Sequence, residues 1–255
     1  MTPIALGMAF LVGGGVGIVS GLLGIGGGLL MVPFLYLLMG GSSWSGVQVP
    51  YEFQAAFAHA TSLVVIVPTA LAGMLTFRRA GVVEWRTVLP LGGAAALTAL
   101  LGARVAVALP TDLLKASFGL FLLVMSMRTW RGKRGGEPEG GGPGPGGARA
   151  GIRPIPALLG GGAVGFLSAL LGVGGGVVAI PILIHWAGLE LRRVVPASIA
   201  IILFAAPAGV LGYALSGRGI EGLPPGSLGL VYLPAALAMI PGAVGLAPLG
   251  ARWNQ

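Results

Sequence analysis

An apolar segment broken by glycines occurs twice in this chain, 148 residues apart. Ser20-Gly21-Leu22-Leu23-Gly24-Ile25-Gly26-Gly27-Gly28 runs on through Leu29-Leu30-Met31-Val32 to Pro33. Ser168-Ala169-Leu170-Leu171-Gly172-Val173-Gly174-Gly175-Gly176 runs through Val177-Val178-Ala179-Ile180 to Pro181. The serine, the four glycines of each G-x-G-G-G and the proline fall in register. Glycine-interrupted apolar segments at corresponding places in two halves point to the substrate site of a duplicated membrane transporter.

The surrounding sequence places that pair in a bilayer. Of 255 residues, 55% are hydrophobic and 9% charged, with mean hydropathy +0.94, which excludes an ordinary soluble globular chain. Apolar stretches at about 53–77, 87–109, 112–130, 195–215 and 228–248 each approach the roughly 20 residues a helix needs to cross ~30 Å of hydrocarbon. Two further segments, 4–39 and 155–187, hold the glycines. The start does not read as a signal peptide, because Met1 to Phe10 has no basic residue and the apolar run continues too far. The absence of cysteine excludes disulfides, thiolate metal sites and cysteine nucleophiles.

The sequence 131–153 is dense in Gly, Pro and charge and reads as a flexible cytoplasmic linker. It separates a first transmembrane repeat, 1–130, from a second, 154–255. The duplication extends beyond the glycines. Gly13-Gly14-Gly15-Val16-Gly17 matches Gly161-Gly162-Ala163-Val164-Gly165, and Gly102-Ala103-Arg104 matches Gly250-Ala251-Arg252, all at the same offset. Ala60-Thr61-Ser62-Leu63-Val64 resembles Pro196-Ala197-Ser198-Ile199-Ala200 at an offset of 136, and Gly73 falls on Gly209. The first half carries three spans after its glycine segment. The second carries two, so a counterpart of the span at 112–130 is missing.

Segment 4–39, as one helix, would be about 54 Å long, which is too long for one span and too short for two. It forms either a hairpin that returns to its starting side or a long broken crossing. If both glycine segments are hairpins, most of the net charge of +8 collects on one side, with only Arg104, Lys115 and Arg218 on or near the other. The positive-inside bias therefore favours hairpins. The expected fold is all-α and integral to the membrane. Its two repeats are inverted, each made of a glycine-broken hairpin plus spans.

A short helix that begins in mid-membrane presents unpaired N–H groups and the positive end of its dipole. Glycine lets a ligand approach that backbone. Two such helix starts, converging from opposite faces, would form a cage for a small anion. The competing reading is close helix packing, which glycine also serves. Nucleotide binding is excluded, as no G-x-x-x-x-G-K-[ST] occurs.

The paired L-L-G-[IV]-G-G-G-x-[LV]-x-[VI]-P motifs, the Ala60-Thr61-Ser62-Leu63 stretch and the central linker resemble the TauE/SafE family of sulfite and organosulfonate transporters. The resemblance covers nearly the whole chain. It implies export of a small sulfur oxyanion or sulfonate across the cell membrane, with uptake of a related sulfur compound or another small anion as the alternative.

The candidate substrate-binding residues are Gly24, Gly26, Gly27 and Gly28 with Gly172, Gly174, Gly175 and Gly176, flanked by Ser20 and Ser168. Thr61, Ser62 and Ser198 offer hydroxyls that bond an anion or bond back to their own helix. His59, an ionisable residue within a span, either contacts the anion, carries a proton or bonds a neighbouring helix. His185 and Gln54 are weaker candidates, and Pro33 and Pro181 would limit or kink the short helices. Arg104 snorkels or attracts anions, while Asp112 and Lys115 pair with it or with each other. None of the seven acidic residues falls in mid-span, so no carboxylate site for a coupling cation is expected. Nor is a catalytic role, a cofactor or a bound metal. The partners are a small anion and the bilayer, with no nucleic acid, and a homodimer stays open. A membrane-embedded enzyme or a passive complex subunit are the readings from other classes.

Overall fold

A computed structural model describes residues 1–23, 26–41, 44–79, 83–134, 154–220 and 222–253. Its elements are α1 (Pro3–Leu23), α2 (Gly28–Met39), a 3-10 turn (Tyr51–Phe53) leading into α3 (Gln54–Arg79), α4 (Trp85–Ala108) and α5 (Thr111–Arg134). Then come α6 (Pro154–Leu171), α7 (Gly176–His185), α8 (Leu191–Ser216), a hairpin of β1 (Ser227–Leu228) and β2 (Val231–Tyr232), and α9 (Leu233–Trp253). Among the described residues, five helices are long and apolar enough to span: α1, α3, α4, α8 and α9. The protein is an all-α, multi-pass membrane protein.

Two boundaries differ from the sequence reading. Residues 228–232 belong to the β-hairpin, with Ser227 opposite Tyr232 and Leu228 opposite Val231. Gly226 and Gly229, both at positive φ, shape it, so α9 starts only at Leu233. At the other boundary α5 continues through Arg134, four residues into the sequence assigned to the linker. The rest of that segment, 135–153, lies outside the described residues.

Each glycine segment is a hairpin. The backbone N–H of Thr2 donates to the Ser45 carbonyl at 3.2 Å, and the Thr2 hydroxyl donates to the Trp44 carbonyl. Thus the chain after α2 is back where α1 began. In the second copy, a Cβ on Gly160 would lie 3.0 Å from Ile182 and 3.4 Å from the Trp186 ring, so the end of α7 returns to the start of α6. The prolines do not end either short helix: α2 runs past Pro33 and α7 past Pro181. Each instead removes the helical donor for the carbonyl four residues earlier, on Leu29 and Val177.

Packing between the halves is reciprocal, and glycine makes it possible. On α1, a Cβ at Gly13 or Gly17 would stand 2.3 Å from the Met239 or Ala243 carbonyl of α9. On α6, Gly161 and Gly165 meet the Leu91 and Ala95 carbonyls of α4 in the same way, at 2.3 and 1.9 Å. Every one of these residues is 148 positions from its counterpart. The return contacts match too, with Gly250 against Ile18 and Gly102 against Phe166. The first helix of each half therefore lies along the fourth helix of the other, backbone to backbone.

Register fixes direction. Contacts 13–239 and 17–243 ascend together, so α1 and α9 are parallel, as are α6 and α4 through 161–91 and 165–95. Between α3 and α8 the pairs are Gly73 with Ile199 and Gly209 with Leu63, hence antiparallel. Gly92 with Phe204 and Gly212 with Ala103 align α4 with α8. It follows that α1 runs with α3 and α9, and α6 runs opposite with α4 and α8, so the two hairpins enter from opposite ends of the bundle. The Arg193–Glu84 ion pair, at 3.2 Å, ties the first turn of α8 to the N-cap of α4. That end also carries the exposed Arg86, Arg128 and Arg252 and leads to the linker. It is the linker end below. Lys115, Arg104 and Arg218 lie toward the other, distal end.

Gly17→Ala and Gly165→Ala are each expected to destabilise the bundle by about 1–3 kcal/mol, because the added methyl meets backbone that has no rotamer to yield. Gly15→Ala, where nothing lies within 4 Å, should leave the unfolding temperature in detergent unchanged.

Candidate functional site

The two glycine breaks touch. A Cβ on Gly28 would lie 2.4 Å from the Gly172 carbonyl oxygen and 2.5 Å from Val173 Cα, and one on Gly26 would lie 3.0 Å from the Val173 carbonyl. Gly26 and Gly27 have φ of 83° and 75°, and Gly174 and Gly175 have 81° and 85°. An L side chain resists this left-handed region by about 1–2 kcal/mol per residue. Gly27 and Gly175 are the N-caps of α2 and α7, with no side chain capping either helix. The Leu30 and Val178 N–H groups donate back to the Gly27 and Gly175 carbonyls, and the N–H groups of Gly28, Leu29, Gly176 and Val177 have no acceptor in their own helices. Two positive helix ends thus approach one place from opposite ends of the bundle.

Within the break of the second copy the glycines divide their work. Gly172, at φ 66°, closes α6: its N–H donates to the Ala169 carbonyl, and the Val173 N–H to the Ser168 carbonyl. That is a left-handed helix termination. Ser168 Oγ, 1% exposed, has no hydrogen-bond partner and lies 3.3 Å from the position a Gly175 Cβ would take. Buried hydroxyls in native folds are hydrogen-bonded as a rule, which sets Ser168 apart. Its counterpart Ser20 is buried alongside Gly27. Gly24 lies outside the described residues. Gly176 begins α7 as Gly28 begins α2, and both are buried.

Helix α3 braces the second break. Ser62 Oγ donates to the Gly172 carbonyl at 2.6 Å or to its own helix at the His59 carbonyl, 2.7 Å away. A Cβ on Gly172 would strike His59 Cα at 2.6 Å. Ser198 makes the matching bond back to the Val195 carbonyl, 2.8 Å. Thr61 is engaged elsewhere, accepting from the backbone N–H of Tyr232 at 3.0 Å. It joins α3 to the β-hairpin and does not face the breaks as a free hydroxyl.

His59 is wholly buried and its Nε2 lies 2.5 Å from the Tyr36 hydroxyl on α2. Its Nδ1, toward the Leu170 carbonyl, makes no hydrogen bond of good geometry. Phe118 of α5 closes the cluster, edge-on to Tyr36 at 6.0 Å and 6.1 Å from the imidazole. Tyr36 and Phe118 did not stand out in the sequence, being two aromatics among many apolar residues. Only the fold brings them to His59. Lys115, one turn before Phe118, packs over the rings of Tyr51 and Tyr36 and donates to Gln54 Oε1 at 3.3 Å. Asp112 bonds the Tyr51 hydroxyl instead of pairing with Lys115. Arg104 sits on the exposed face of α4, outside this cluster.

From the linker end a cleft of about 880 Å³ descends between α2, α5 and α7. Arg128, Trp130 and His185 line its mouth, and Leu29 and Val177, the second residues of α2 and α7, line its floor. A second cleft of about 650 Å³ follows the other flank of α5 and shares Arg128 and His185. Buried Val32, Phe118, Leu171 and Val173 form an apolar plug between this floor and the Tyr36–His59 pair. Among the described residues there is no group of three or more His, Cys, Asp or Glu able to hold a metal ion.

Two broken helical hairpins meeting inside a bundle of apolar spans define a multi-pass membrane protein. The chain belongs to the sulfite exporter TauE/SafE family, whose model matches residues 9–255. It is 25% identical to a probable membrane transporter protein of Haemophilus influenzae over 96% of this chain and 87% of the relative. A probable membrane transporter protein of Methanocaldococcus jannaschii is 27% identical over 99% and 87%. Another from Bacillus subtilis is 25% identical over 94% and 85%. No solved structure matches.

Tyr36→Phe leaves His59 Nε2 buried without a partner and should lower stability by about 1–3 kcal/mol. Replacing both residues, as Tyr36→Phe with His59→Phe, should cost less than the two single changes added together. A thermal-unfolding double-mutant cycle measures the difference.

Proposed function

We propose that the protein is a secondary transporter, not an enzyme, that exports a small sulfite-like sulfur oxyanion or organosulfonate across the cell membrane. The carrying observation is the meeting of the α2 and α7 N-termini beside the buried, unpartnered Ser168 hydroxyl. Backbone N–H groups, helix dipoles and a hydroxyl are donors suited to oxygens of an anion. A neutral donor cage also binds without a fixed counter-charge that would hold the anion too tightly to release. Family membership and the transporter names of the relatives support transport, and the family description supports the sulfur oxyanion.

The two halves act, in this reading, as inverted repeats. The opposite directions of α1 and α6 and the reciprocal 148-residue contacts support it, and such repeats rock about a site at their interface. The linker end faces the cytoplasm, in keeping with its arginines. From there an anion enters the large cleft, reaches the helix N-termini, and is held from the distal side by the plug. Rearrangement of α5 and the hairpins would move the seal. An inside-negative potential favours exit by about 2.3 kcal/mol per charge per 100 mV. No carboxylate at depth is needed for that drive. The Tyr36–His59 pair favours one second reading, in which a proton travels with the anion.

Ser168→Ala provides the sharpest test. The hydroxyl has no partner, so its loss should leave the unfolding temperature unchanged while weakening sulfite binding by about tenfold, the worth of one hydrogen bond to an anion. Unchanged affinity in purified protein would return the glycines to packing. In sealed proteoliposomes, sulfite flux should follow an imposed potential. Flux that ignores the potential and follows a pH gradient would establish the proton-coupled reading.

A further inference from the structure

Helix α5 has no counterpart in the second half among the described residues, yet it crosses the whole site. Lys115 and Arg128 lie on it 13 residues apart, about 20 Å along the helix. Between them Phe118 belongs to the apolar plug, and Phe118, Leu122, Met125 and Arg128 follow the three-to-four spacing of one helix face. The helix therefore carries Lys115 on the distal side of the seal and Arg128, followed in sequence by Arg131, Lys133 and Arg134, on the linker side.

Among the described residues, Lys115 and Arg128 have no carboxylate within 4.0 Å. Asp112, the acid nearest Lys115 in sequence, is drawn to the Tyr51 hydroxyl. Lys115 rests on two tyrosine faces and Gln54, pointing its charge toward Tyr36, whose hydroxyl meets His59 beside the second break. Arg128 lines both clefts, whose other walls are mainly apolar. A charge at the mouth of a low-dielectric cleft focuses its field along that cleft and concentrates anions there.

We propose that Arg128 and Lys115 are the anion-collecting residues of the two access routes, Arg128 from the linker end and Lys115 from the distal end. Each acts on its own side of the plug. The inference rests on the transport reading above and deepens it, since it assigns recognition of negative charge to α5 rather than to the glycine breaks. A duplicated site treats both directions alike. Different cations on the two routes, guanidinium within and ammonium without, give each side its own affinity.

The test uses the full chain in right-side-out and inside-out vesicles, with sulfite as the probe. Arg128→Gln should raise the half-saturating sulfite concentration about tenfold from the linker side, with little change from the distal side. Lys115→Gln should do the reverse. Arg128→Lys and Lys115→Arg should restore each side to near wild type. Raising salt from about 0.01 M to 1 M shortens the screening length from about 30 Å to 3 Å. It should weaken wild-type affinity on both sides and each Gln variant only on its unaltered side. Equal effects from both sides, or none, would overturn the inference. So would an Arg128→Gln effect that vanishes in vesicles without anionic lipid, since the clefts would then hold lipid headgroups. Wild-type vesicles that pass no sulfite or sulfonate at all would instead overturn the transport reading itself.

Discussion

Backbone meets backbone at the centre of this bundle, and little else in the structure stands without that contact. Gly28 lies so close to Gly172 and Val173 that a single Cβ would overlap the chain opposite. In hydrocarbon, an irregular backbone survives only where it is buried in protein or lines a cavity. Each break is therefore the other's shelter. The left-handed turns at Gly26, Gly27, Gly174 and Gly175 reverse the chain within a few residues and aim two helix starts at one place. Ser62 then fixes the second break from α3 by bonding the Gly172 carbonyl.

The same residue type does two jobs. Along α1 and α6, glycine lets a helix rest directly on the carbonyls of α9 and α4. At the breaks it supplies conformations denied to other residues and leaves polar backbone near a cleft. Packing along the helices and reversal of the chain at the breaks are thus separate tasks, carried mainly by different glycines. Gly13, Gly17, Gly161 and Gly165 pack, Gly172 terminates a helix, and Gly26 to Gly28 with Gly174 to Gly176 form the turns and helix starts.

Much of this was legible in the sequence because a membrane restricts the choices. A span must be about 20 apolar residues long, and a break in one must have a reason. The duplication was legible because Gly13, Gly17, Gly161, Gly165 and, at the breaks, Gly26 to Gly28, Gly172, Gly174 and Gly175 have no room for a Cβ or lie at positive φ, and they fall in register at one offset. Hairpin against crossing was not settled by loop charges alone. It needed the bond that returns Ser45 to Thr2, across residues with no sequence signal of their own. Helix α5 runs four residues past position 130 because basic residues suit a helix end as readily as they fill a loop. Tyr36, Phe118 and the plug were not legible, since an apolar or aromatic residue in a span looks the same whether it faces lipid, core or cleft. The expected Asp112–Lys115 pair gave way to Tyr51 and Gln54, side chains some 60 residues earlier that the packing of α3 on α5 brings into reach.

The central claim is positional: an oxyanion sits where the N-termini of α2 and α7 meet. Selenite, the heavier analogue of sulfite, scatters X-rays anomalously and locates itself in a crystal. The expected result is a selenium peak within hydrogen-bonding reach of Ser168 Oγ, between the first turns of the two short helices. A peak confined to the arginines of the linker end, with the glycine breaks closed on one another, would contradict it.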